Sequence, residues 1–154
     1  MIAVSRQAAI ALVLIVVLSM TSACKQEDIK LVSSNLNKAT KAVAVIQDTI
    51  EAANKTVPPL LSDAAGVKAM GVSLKFSQSL AKAIEMTRHI ESLDAPTKAS
   101  LLGVLQPLLA DLTAAINDPA LINIKDQKTK DAILGSLIIV QTSLAAIQTA
   151  IAVH

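Results

Sequence analysis

Aromatic side chains are almost absent from this 154-residue chain: Phe76 stands alone, with no Trp or Tyr. A sugar ring, a nucleobase or a quaternary ammonium group therefore finds next to nothing to stack on. Cysteine is as scarce. The single Cys24 makes neither an intramolecular disulfide nor a thiolate cage for a metal. No block of one charge sign occurs either. Fourteen basic and twelve acidic residues leave a formal +2, without the basic stripe that nucleic acid selects.

Catalytic and cofactor motifs are missing as well. The four glycines, Gly66, Gly71, Gly103 and Gly135, form neither a dinucleotide-binding turn nor a phosphate loop. There is no Gly-x-Ser-x-Gly elbow, and no Glu-x-x-His pair of the kind that builds carboxylate-bridged metal sites in bundles. Glu85 and His89 are four residues apart and read as a surface contact on one helical face. These absences point to a protein that is not an enzyme and needs no cofactor. What is abundant is aliphatic: 53% of the residues are hydrophobic, carried by Ala, Leu, Ile and Val. The length suits one domain with one continuous core.

Residues 1–23 read as a targeting segment to be removed. Arg6 is the only charge before Lys25, and the apolar run 8–20 that follows it is 13 residues long, short of the roughly 20 that a permanent helical span requires. Thr21-Ser22-Ala23 then leads directly into Cys24. This stretch resembles the lipobox of bacterial lipoproteins. The resemblance covers the first 24 residues, and Thr21 stands where Leu is commonest. It implies that Cys24 is acylated and becomes the first residue of a mature chain held to the cell envelope. Lys25 after the cysteine, where an Asp would retain the protein at the inner membrane, implies the outer membrane if the host has two membranes. Multi-chain acylation supplies the stable attachment that one chain does not.

Beyond residues 24–26, a minimal tether, periodicity predicts an all-α protein, an antiparallel up-down four-helix bundle with helices at about 27–55, 60–93, 96–117 and 126–153. In the first, Ile29, Val32, Leu36, Ala39, Val43, Ile46, Ile50 and Ala53 alternate at spacings of three and four, the seam of a packed helix. Thr56-Val-Pro-Pro59 ends it. In the second, Lys68, Lys75, Lys82 and His89 mark a solvent side, and Val67, Met70, Leu74, Ala81 and Ile84 are expected to be buried, in a stripe that Ser73, Ser77 and Thr87 dilute, with Asp63 near its start. The third carries Leu101, Leu105, Leu108, Leu112 and Ala115, and Pro107 is expected to kink or split it. The fourth carries Ile133, Leu137, Val140, Leu144, Ile147 and Ile151.

From Ala132 to Val153 there are 22 residues without a charge. That length could span a bilayer, but Gln141, Gln148 and the neighbouring Ser and Thr residues favour a helix packed within a bundle or against a partner. Ile138, Ile139, Ala145 and Ala146 lie off the seam and are the candidate surface for a protein partner or for self-association. The leading expectation is a lipid-anchored, non-enzymatic envelope protein that acts as a structural or interaction module. The alternative is a bundle that binds an apolar ligand or lipid in its aliphatic interior.

Overall fold

The computed structural model describes residues 6–88 and 93–153, with side chains placed for 26–88 and 93–152. Among the described residues every regular element is a helix: α1 (Arg6–Asn54), α2 (Asp63–Arg88), α3 (Ala95–Ile116), α4 (Pro119–Ile122) and α5 (Gln127–Val153). α1 packs most extensively on α5 and also on α2; α2 packs on α3, and α3 on α5, so the four long helices contact one another in a ring.

Short polar residues start the helices. Asp94 accepts a hydrogen bond from the Thr97 backbone N–H at 2.9 Å, Asp118 from that of Ala120 at 2.9 Å, and Asp126 from that of Thr129 at 2.8 Å. Each satisfies a donor that the helix leaves unpaired. Pro96 and Pro119 sit in the first turns, where a missing N–H costs nothing. At α2 the capping oxygen belongs to Ser62, which accepts from Ala65 N–H at 3.3 Å, while Asp63 opens the first turn. After α1 the Thr56 hydroxyl donates to the carbonyls of Ala53 and Pro58, closing the end of the helix before the Val57–Pro58–Pro59 turn.

The seams of α1, α3 and α5 turn inward. Val32, Leu36, Ala39, Val43, Ile46, Ile50 and Ala53 of α1 are buried; Ile29, at the start of the row, is partly exposed. Leu101, Leu105, Leu108, Leu112 and Ala115 of α3 are buried, as are Ile133, Leu137, Val140, Leu144, Ile147 and Ile151 of α5. Fully burying each of these larger aliphatic side chains is worth about 1.5–3 kcal/mol, which makes this layer the main source of stability.

Three expectations are corrected. On α2 the buried row is Ala65, Ala69, Ser73, Phe76, Leu80, Ala83 and Thr87. Val67 and Leu74 face solvent at 75% and 50% exposure, Ala81 is exposed, and Met70 and Ile84 are only partly buried. The row passes through two hydroxyl residues because each is satisfied within its own helix: Ser73 donates to the Met70 carbonyl and Thr87 to the Ile84 carbonyl, both at 2.9 Å. Burying them therefore leaves no donor unpaired. Of the kink or split expected at Pro107, the split does not occur: α3 is one helix from Ala95 to Ile116. Both Pro107 and Gly103, the residue whose carbonyl loses its helical partner, are exposed, so water can reach that oxygen. The connection from α3 to α5 is not a bare loop: it contains α4, and it buries Leu121 and Ile124 against the core. On its N-terminal side α1 runs through Cys24.

Candidate functional site

α5 follows a seam of period 3.6, and rotation of about 100° per residue distributes its other side chains over two flanks. Gln141 lies on one flank, where its Nε2 donates to the Thr113 hydroxyl of α3 at 3.4 Å. Ile138 and Ala145 fall on that same flank. Ile139 and Ala146 fall on the other, alongside the buried hydroxyls of Ser136 and Ser143. Ile138 and Ile139 are 48% and 49% exposed, Ala145 is exposed, and Ala146 is partly buried. The four candidate surface residues are thus accessible in varying degree but do not make one patch. They border two different helix–helix grooves.

Polar side chains on the outer face of α5 are turned back on the backbone. Thr142 donates to the Ile139 carbonyl at 3.1 Å and Thr149 to the Ala145 carbonyl at 3.0 Å. The outward surface of α5 beyond Asp131 therefore consists of aliphatic groups and internally bonded hydroxyls. By length and composition, α3 and α5 are both long and apolar enough to cross a membrane. Each nevertheless buries a complete seam against the other helices.

A groove that the sequence did not reveal lies between α2 and α3. It has a volume of about 340 Å³ and is floored by Phe76 and Ala115, with Val67, Lys68 and Gly71 on one wall and Asp111 on the other. Two ion pairs tie its walls together: Lys75–Asp111 at 2.7 Å and Lys68–Asp118 at 2.9 Å. The Lys68 ammonium, followed by the Ala120 N–H, holds the Asp118 carboxyl below its ordinary value. A second groove, of about 570 Å³, opens where α1 meets the start of α2, lined by Ile50, Asn54, Leu61, Asp63, Gly66 and Met70 among others. The one signal that could have exposed the first groove was Phe76 itself. Anchoring the α2 seam on the sole aromatic residue gives the observed buried row and turns Val67 and Leu74 outward.

Cys24 lies within α1, and its side chain is outside the described set. His89 also lies outside the described residues. Glu85, its expected partner, pairs with Arg88 at 3.0 Å on the α2 surface. Among the described residues, no three His, Cys, Asp or Glu side chains gather as a metal-ligand set. Comparison with protein-family models, with curated proteins and with solved structures finds no match to this chain.

Proposed function

We propose that this chain is an envelope lipoprotein acylated on Cys24, whose helices form an antiparallel up-down four-helix bundle serving as a structural or protein-interaction module rather than as an enzyme. The observation that carries the reading is the run Arg6, apolar 8–20, Thr21-Ser22-Ala23-Cys24, set immediately before a packed heptad helix. The bundle topology draws support from cross-helix contacts that run in opposite order along neighbouring helices. Lys68 meets Asp118 while Lys75 meets Asp111, and Gln47 reaches Ser77 while Asn54 lies beside Gly66. Short connections between long helices favour the same arrangement.

Intact-mass measurement of the protein extracted from membranes tests the anchor. The expected wild-type mass lacks residues 1–23 and carries acyl chains, whereas Cys24→Ala remains unacylated and leaves the membrane fraction. A wild-type mass without acyl groups removes the anchor. Native mass spectrometry that retained an apolar molecule inside the folded chain would instead favour a lipid-binding bundle.

A further inference from the structure

The connection between α3 and α5 holds itself together by bonds that never leave it. Leu121 and Ile122 donate their backbone N–H groups to the Asp118 carbonyl, Asn123 to that of Pro119 and Ile124 to that of Leu121, while the Ala120 N–H meets the Asp118 carboxylate. The helices on either side close their own ends. Asn117 donates its backbone and side-chain N–H groups to the Thr113 carbonyl, and the Asp118 N–H reaches that of Ala115. At the start of α5, Asp126 accepts the Thr129 N–H on its carboxylate and the Lys130 N–H on its carbonyl. Displacing α4 therefore leaves the caps of both long helices intact.

Little else fastens this segment to the body. Leu121 and Ile124 are buried, and α4 packs on α2 and α5. Among the described residues a single ion pair crosses from it to another long helix, Lys68–Asp118 at 2.9 Å. One carboxylate serves both purposes: Oδ1 accepts the Ala120 N–H and Oδ2 meets the Lys68 ammonium.

We propose that residues 118–125, carrying α4, are a strap that opens as a unit while the four long helices stay folded, with the Lys68–Asp118 pair as its latch. Opening uncovers the sockets of Leu121 and Ile124, an apolar site that the closed molecule does not present. The strap also borders two grooves. Lys68 lines the one floored by Phe76 and Ala115, and Asn123, Ile124, Lys125 and Asp126 face Pro59–Ser62 across another of about 390 Å³. Release frees a lysine on the rim of the first and removes a wall from the second. This device goes beyond the module reading and does not depend on the anchor.

Amide hydrogen exchange resolved by NMR, on the full chain in detergent micelles at fixed pH, tests the strap. The Leu121 and Ile124 amides are expected to exchange at least about tenfold faster than those of Val140 and Leu144, and nearly independently of low denaturant concentration, because a local opening exposes little surface. Ile147→Val, at a buried position about 30 Å along α5 from Asp126, is expected to speed the Val140 and Leu144 amides about two- to tenfold and to leave the strap amides unchanged. Lys68→Met and Asp118→Asn are each expected to speed the strap amides about two- to fivefold, and the double variant no further than either alone, since both remove the same pair. Asp118→Ala, which removes the cap as well, is expected to speed them about tenfold. Strap amides that exchange no faster than Val140 and Leu144, or that accelerate equally in Ile147→Val, mean that the segment opens only with the whole bundle and overturn the proposal. Strap rates unchanged by both Lys68→Met and Asp118→Asn overturn the latch. Neither result touches the acylation of Cys24, which the intact mass reads separately.

Discussion

Phe76 is fully buried at the centre of the α2 seam, between Ser73 and Leu80, and supplies the largest side chain of a core that is otherwise aliphatic. Phe76→Ala should therefore cost about 3–5 kcal/mol, read as a lowered denaturant midpoint. Ser73→Ala, in the same row, should change stability by less than about 1 kcal/mol, because its hydroxyl bonds within its own helix, to the carbonyl and the sulfur of Met70, and Ala is the better helix former. That contrast explains why the α2 seam was not legible in the sequence. Ser73 and Thr87 read only as dilution of a stripe carried by Val67 and Leu74, whereas a small hydroxyl that bonds one turn back can be buried at little cost and belongs to the seam itself. The capping aspartates give a pH signature. The Thr97 side chain, followed by its backbone N–H, holds the Asp94 carboxyl below its ordinary value of 3.8, and Thr129 acts likewise on Asp126. A depressed folded value means stabilisation that is complete above the ordinary carboxylate range and lost as pH falls through the folded value. Melting temperature should accordingly fall as pH drops from about 4 towards 2, and Asp94→Asn, which keeps an acceptor that does not titrate in this range, should flatten part of that fall.

At the level of whole helices, α3 carries its own internal handicap. Pro107 removes one hydrogen bond from the middle of a continuous, solvent-facing stretch, and an interior proline costs about 3 kcal/mol relative to alanine. Pro107→Ala should stabilise the protein by up to that amount, measured by chemical denaturation. α2 offers a smaller gain. A Cβ built at Gly71 meets nothing within 4 Å, so Gly71→Ala should add about 0.5–1 kcal/mol. The seams of α1, α3 and α5 were legible because their aliphatic residues repeat without interruption, and a strict heptad row leaves only one face to bury. α4 was not. Four residues, Pro119–Ile122, are too few to express a period, and the burial of Leu121 depends on the ends of α2 and α5 that close over it.

Across the whole molecule, the core formed by the described side chains extends from Val32 to Ile151. Cys24→Ala should thus leave the helical circular dichroism and the thermal melt in detergent superimposable on wild type, even as it changes the mass and the membrane partition. Either change in the melt would mean that the anchor region contributes to folding. The candidate interaction surface was only half legible. An uncharged run from Ala132 to Val153 drew attention to α5, but the division of Ile138 and Ile139 between two grooves depends on where α3 lies, as Gln141 and Thr113 reveal. α1 carries one further implication. It continues without a break from Arg6 through Cys24 to Asn54, so the proposed anchor position and the body share one helical phase. Inserting a single alanine after Gln26 would turn everything downstream by about 100° about the α1 axis, whereas inserting seven would restore the bearing to within about 20° while adding about 10 Å of height. On the proposed attachment at Cys24, the direction in which the body faces along the membrane is in this sense written in residue count, as a compass heading held by the pitch of one helix.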